Sequence, residues 1–315
     1  MEQTELNEQS TNQPHGVNGA QANALPANGV TQRGIQSQVS PATCASCGAA
    51  ADSNGNGATA PSYVFAIGRV EMRFPTLAVE KEFAQATGRA NTKGLTDRAA
   101  TQAVLSDRSN RYIVRQLCWV FTIEGMETYI LVPRDPADYA QLLEAVRSDP
   151  SPLDVDLVVG MRGPIAPPDM CNGLMVPIVA FDQIYSFDRD ALIKALPTPK
   201  GAKAKEYATA AAELLDRIML LADNAGSTDE HRALNYLVVR YPAVYNTVAD
   251  AFGRDSSLTA VDVLPSPLSV TRKVVDVIFS FTNRNTDVVE KFFTRVDVTE
   301  EFPFLVTKMS PYFDR

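Results

Sequence analysis

The sequence predicts an α+β fold: a mixed or antiparallel β-sheet with two β-hairpins and packed helices, preceded by a disordered N-terminal tail. Three observations carry this reading. Composition breaks sharply near Pro61, two pairs of alternating β-rich runs are joined by turn residues, and helix-period segments with recognisable caps lie between them.

The tail comes first. Residues 1–60 hold Arg33 against Glu2, Glu5, Glu8 and Asp52, contain no aromatic residue, and are rich in Asn, Gln, Gly, Ala, Ser and Thr. Such a segment cannot bury enough apolar surface to offset its ordering entropy. Residues 61–315 then form the folded part, with a soft internal boundary at the polar stretch 197–205 (PTPKGAKAK). With 45% hydrophobic residues, the 315-residue chain can build a substantial core. Its net charge of −8 argues against a non-specific grip on phosphate backbones, so nucleic acid is not an expected partner. The N-terminus lacks the basic and apolar regions of a signal peptide, and no later run approaches the roughly 18 apolar residues that span a bilayer. The expected location is therefore cytoplasmic, with no membrane partner. Thiols stay reduced there, so four cysteines do not read as a disulfide framework.

Order should begin at PSYVFAIGRVEMRFP, a first strand from Tyr63 in which Val70, Met72 and Phe74 alternate. TLAVEKEFAQATGR reads as a helix capped by Thr76 and stopped at Gly88, and TDRAATQAVLSD as another capped by Thr96. The first hairpin is RQLCWVFTIEGMETYILVP, turning near Glu124-Gly125, where glycine supplies the positive φ of a tight turn. Within it Trp119 and Phe121 share one face, and Cys118 and Val120 the other. A helix starts at Asp135 or Pro136, and strands 157–160 and 176–181 flank a loop dense in Gly and Pro. Beyond the soft boundary come a helix ended by Asn224 and Gly226, and a helix capped from Thr228 that Pro242 kinks or restarts. The last hairpin turns at Asn283 to Thr286.

Neither a GxxxxGK[ST] loop nor a GxGxxG after a strand occurs, so nucleotide binding has no support. The two histidines, His15 and His231, exclude a multi-histidine metal centre. His231 follows Asp229 and Glu230 and is the one candidate general base, though adjacent helical residues do not face one another and a first-turn structural role competes. In the loop GMRGPIAPPDMCNGLMVP, Arg162, Asp169 and Asn172 are candidate binding residues on a pocket wall or partner surface, against the alternative of a rigid connector. Cys118 and Cys171 read as buried structural thiols. Cys44 and Cys47 form a CxxC, which supplies two of the four ligands of a tetrahedral zinc. Cys118 and Cys171 could complete the set within one chain, or two chains could pool their CxxC pairs in a homodimer.

Five stretches carry a resemblance: IGRVEMRFPTLAVEKEFAQATGR, NRYIVRQLCWVFTIEGMETYILVPRDPAD, GPIAPPDMCNGLMVPIVAFDQIYSFDRDALI, ADNAGSTDEHRALNYLVVRYPAVY and DVTEEFPFLVTKMSPYFDR. Together, over residues 61–315, the chain resembles the C-terminal domain of the PatG-type cyanobactin maturation proteins. In that family the domain is appended to a subtilisin-like protease that cleaves and macrocyclises a ribosomally made peptide. No protease portion is recognisable here, and one histidine in the folded part assembles no Ser-His-Asp triad, so peptidase activity is not expected. The resemblance implies a role in a cyanobactin-like peptide maturation pathway for a domain whose own activity is undefined. With no catalytic constellation in the sequence and two hairpins whose edges could accept an added strand, the expected role is a non-catalytic accessory or recognition one, binding precursor peptide or a subtilisin-like maturation protease. Two alternatives stand beside it: a peptide-modifying enzyme using His231 or the Arg162 to Cys171 region, and a dimerising scaffold.

Overall fold

The computed structural model describes residues 62–196, 204–219, 223–269 and 271–313. The tail with Cys44 and Cys47 lies outside these residues, as do residues 197–203 of the soft boundary at 197–205. The α+β architecture is present: a closed five-stranded barrel, a four-stranded antiparallel sheet, and eight α-helices among the described residues.

The barrel is built from β1 (Tyr63–Arg73), β2 (Cys118–Ile123), β3 (Met126–Pro133), β4 (Asp154–Ile165) and β5 (Pro177–Asp188), in the order β1-β2-β3-β5-β4. All its pairings are antiparallel except β3 with β5. Closure depends on β1 changing partner midway, from β4 over Tyr63–Gly68 to β2 over Arg69–Arg73. Gly68 permits the change, since a Cβ there would meet the Thr122 carbonyl oxygen and come within 2.8 Å of the Phe121 ring. At that corner the Val70 N–H donates to Asp156 Oδ2 (2.8 Å), and Arg69 Nε donates to the Asp154 carbonyl (3.1 Å). Asp156 is buried and also accepts from Ser186 Oγ (2.7 Å). Burial pushes its carboxyl pKa up, while these bonds and the Arg147 guanidinium pull it back.

The predicted alternation holds inside the barrel. Trp119, Phe121, Tyr129, Leu131, Val179 and Phe181 fill the interior, whereas Cys118, Val120 and Ile130 face outward. The interior cluster runs on into α1 (Leu77–Arg89), α2 (Asp97–Ser106), α3 (Arg111–Gln116) and α4 (Tyr139–Ala145), so these helices close over it. Trp119 donates its indole N–H to the Val114 carbonyl of α3 (3.0 Å), which satisfies the one polar atom the ring brings inside. Thr76 and Thr96 cap α1 and α2 as expected. Gly88 is not the stop: α1 runs past it to Arg89, and Ala90 is the cap.

The second half comprises α5 (Arg189–Ala195), α6 (Ala204–Met219), α7 (Asp229–Arg240), α8 (Ala243–Gly253), then β6 (Ser256–Pro265), β7 (Val274–Asn283), β8 (Val289–Asp297) and β9 (Phe304–Pro311). Thr228 caps α7, and Pro242 separates α7 from α8. One core joins the two halves. Phe65, Ile67, Leu157 and Val159 on the barrel's outside pack with Leu214, Leu237 and Tyr245 of the helices and with Val277, Phe279 and Phe281 of the sheet. The barrel's outer face is therefore a core surface along the first part of β4, where residues 154–160 are all buried, whereas 161–165 are exposed and β5 is fully buried only at Val179, Phe181 and Ile184.

Both predicted hairpins form, but neither offers a free edge. The first lies inside the closed barrel, where β2 pairs β1 and β3 pairs β5. The second, β7–β8, is the centre of its sheet, flanked by β6 and β9, two strands the sequence reading did not identify.

Candidate functional site

The sheet edges are where a partner could pair, so they define the site. On β9 the edge is taken. The Leu305 N–H donates to the Tyr236 hydroxyl (3.1 Å) and the Met309 N–H to the Tyr241 hydroxyl (2.9 Å). Two tyrosines, one within α7 and one just after it, thus satisfy backbone donors that would otherwise invite another strand.

The β6 edge differs. Ser266 donates its N–H to the Val274 carbonyl (2.9 Å), and the register continues through Leu264–Asp276 and Asp262–Ile278. Even-numbered residues of β6 therefore bond to β7, and the backbone groups of Val261 and Val263 point away from the sheet. Pro265 falls on the same outward set, where its missing N–H costs the ladder nothing. Thr259, Ala260, Asp262 and Leu264 are exposed, whereas Val261 and Val263 pack their side chains against the core. Among the described residues no strand covers this edge. Sequence reasoning missed β6 because SSLTAVDVLP has no clean apolar alternation; Pro265 at its end was the available signal.

The residues singled out from sequence lie elsewhere. Arg162 is exposed near the end of β4, and its backbone N–H donates to the Ser62 carbonyl (2.7 Å). Asp169 and Asn172 are exposed in the 166–176 loop, Asn172 with φ 53°. The structure does bring Arg162 toward Tyr129, whose hydroxyl donates to the Ala225 carbonyl (2.8 Å). Burial raises the Tyr129 pKa, opposed by a hydrogen bond with Ser227 and by the Arg162 charge.

His231 occupies the first turn of α7, its N–H bonded to Thr228 Oγ1 (3.2 Å). Burial lowers its pKa below the usual 6.5, while Glu230 and Asp223 act in the opposite direction. Nδ1 is buried without a partner. No hydrogen bond or ion pair among the described residues joins His231 to Arg162, Asp169 or Cys171. A depressed histidine favours the fold above its ordinary pKa, and that contribution is lost as pH falls through and below it. His231→Gln should therefore lose less stability than the parent between about pH 7.5 and about pH 5.5. Urea melts at both pH values check this, and equal losses would contradict it.

Cys118 and Cys171 require a correction. They are not separate thiols but are joined in a disulfide, with Cα atoms 5.8 Å apart. The 166–176 loop folds back on the barrel's outer face, where Ala166 and Cys171 pack with Cys118, Val120 and Ile130. A sequence separation of 53 residues hides that meeting. While bonded, neither sulfur is a thiolate, so the four-cysteine zinc site would first require reduction of this bond. Cys44 and Cys47 lie outside the described residues, and among the described residues no three His, Cys, Asp or Glu side chains converge on a metal position.

Residues 201–312, which include both sheet edges, match the family model described as PatG C-terminal. The chain carries a PatG C-terminal-type domain. A solved structure titled "PatG Domain of Unknown Function" is similar to it, with a TM-score of 0.65 and 21% identity over 80% of this chain and 98% of that one. That likeness extends the PatG-type fold across the barrel as well as the sheet. No curated protein matches the chain. None of the described helices is long and apolar enough to cross a membrane.

Proposed function

We propose that this chain is a non-catalytic recognition protein in cyanobactin-like ribosomal peptide maturation, and that its PatG-type domain binds an extended precursor peptide by strand addition to β6. The PatG match supplies the pathway context. The observation that carries the binding mode is the contrast between the two edges: β9 is closed by Tyr236 and Tyr241, while β6 presents the donors and acceptors of Val261 and Val263. Strand addition draws affinity from main-chain bonds and specificity from alternate side chains. Zinc at Cys44 and Cys47, within one chain or between two, belongs to the same proposal as a structural element, as does homodimerisation.

Calorimetry with a cognate precursor peptide tests it. Val263→Pro removes one outward donor at a position where proline is compatible with the ladder, and should weaken binding by about tenfold. Val263→Ala, which keeps the donor, and His231→Gln should bind as the parent does. A flat titration, or equal affinity for Val263→Pro, would remove the strand-addition reading.

A further inference from the structure

A cavity of about 340 Å³ opens on the outer side of β1, at the point where the strand changes partner. The last β1–β4 pair there is Gly68–Asp156 and the first β1–β2 pair is Arg69–Thr122. Beyond those pairs β4 and β2 splay apart and leave a cleft, floored by Ile67, Leu153 and Met219. Its size lies within the roughly 300–1,000 Å³ of small-ligand sites.

Charge is sorted across the cleft. On the β4 side, the Arg69 guanidinium donates to the carbonyls of Pro152 and Asp154, and the Arg189 N–H donates to the Leu153 carbonyl (2.9 Å). The Arg69 guanidinium is thus fixed to that wall, and the backbone of Arg189 is anchored beside it, with the Arg189 guanidinium held by Asp216 of α6. The carboxylate among them, Asp154, is already engaged by the Ser151 N–H (2.7 Å) and Arg147 (3.4 Å). Toward β2, Glu71 of β1 accepts from Thr122 Oγ1 (3.4 Å) and pairs with Arg73 (3.6 Å), and Glu124 stands in the β2–β3 turn at φ 51°. Two of these groups have unused capacity. Arg189 places Nη1 on Asp216 (2.5 Å), but its Nε is buried with no acceptor. Glu124 has no hydrogen bond or ion pair among the described residues.

A buried guanidinium N–H without an acceptor is costly until an oxygen arrives, and a carboxylate is the partner that gives charge-assisted bonds to two arginines. Across the same apolar floor, the unpartnered Glu124 carboxylate favours an ammonium group, and Glu71, though paired with Arg73, adds negative charge to the same lining. We infer that this cleft binds a short linear peptide with both termini free, its carboxylate at Arg189 and Arg69, its ammonium at Glu124 and Glu71, and an apolar side chain on Ile67, Leu153 and Met219. The cleft is separate from the β6 edge, so its failure would leave the strand-addition reading standing.

The test is ligand-observed NMR titration of the full chain with alanyl-leucine, its C-terminal amide and its N-acetyl form. The free dipeptide should bind with a Kd of roughly millimolar or tighter. Amidation should weaken it by about tenfold, and acetylation several-fold. Arg189→Gln should match the loss on amidation and be insensitive to it. Glu124→Gln, an exposed turn substitution that leaves the core untouched, should match the loss on acetylation and be insensitive to that block. This non-additivity is a readout that a merely structural role would not produce. Asp216→Asn, which frees Arg189 from its ion pair, should not weaken binding. The inference is overturned by absence of binding at about 10 mM dipeptide. It is equally overturned by affinity indifferent to both end blocks, or by acetate or inorganic phosphate binding as well as the dipeptide, which would mark a simple anion site.

Discussion

Gly226→Ala should leave little folded protein. Gly226 has φ +66°, and a Cβ there would lie 2.5 Å from the Ala66 Cα and 2.6 Å from the Phe65 carbonyl oxygen. Those are backbone atoms of β1, which at these residues is paired to β4 and cannot yield as a side-chain tip would. The contact is close because the Phe65 N–H donates to the Gly226 carbonyl (2.8 Å), beside the Tyr129 bond to Ala225. Left-handed strain of about 1–2 kcal/mol, overpacking of about 1–3 and a hydrogen bond lost at about 1 together approach the whole stability of a marginal domain. Gly94→Ala is the control, since Gly94 has φ +81° with nothing within 4 Å of its Cβ position, and should cost only the backbone strain. Soluble yield and urea midpoints measure both. A Gly226→Ala protein as stable as Gly94→Ala would show that β1 and the 223–228 segment are not packed this tightly.

Arg232→Met should destabilise by about 3–5 kcal/mol. Arg232 is 2% exposed, and its guanidinium donates to the carbonyls of Val298 (2.6 Å), Glu300 and Glu301 (3.3 Å). It also lies over the Tyr63 ring, 5.3 Å from the centroid, with Asp229 3.8 Å away. One side chain thereby ties α7 to the first strand of the barrel and to the β8–β9 connection. Methionine keeps much of the volume but leaves the buried Val298 carbonyl and the part-buried carbonyls of Glu300 and Glu301 without this donor. Arg232→Lys should recover only part of the loss, because an ammonium cannot fork to three acceptors in one plane. Denaturant unfolding of the three proteins decides it; a lysine variant equal to the parent would reduce the role of Arg232 to its charge.

The elements legible in the sequence are those whose cause is local. A threonine oxygen caps an N–H three residues on, at Thr76, Thr96 and Thr228 alike. Alternation placed Trp119 and Phe121 against Cys118 and Val120 before any partner strand was known. The turn at Glu124-Gly125 follows from two adjacent positive φ values. β6 and β9 escaped because edge strands are buried on one side only, which weakens their apolar signal: β9 shows exposed Phe304 and Val306, and β6 exposed Leu264. Helix α1 overran Gly88 because that glycine does not take the left-handed conformation of a stop, and the helix closes instead at Ala90, whose N–H bonds to the Ala86 and Thr87 carbonyls.

Sequence alone determined the α+β class, the capped helices and the two hairpins, because each rests on spacing along the chain; the PatG-type resemblance lies in the five quoted stretches themselves. Which edge is open was decided only by tertiary structure. The hydroxyls of Tyr236 and Tyr241 reach donors 69 and 68 residues away, and without them β9 would be as available as β6. The same holds for the Cys118–Cys171 bond and for the cleft beside Arg189. The bond comes from a loop folding back on the barrel, and the cleft from one strand changing partner, and both depend on closure of the barrel between residues far apart in the chain.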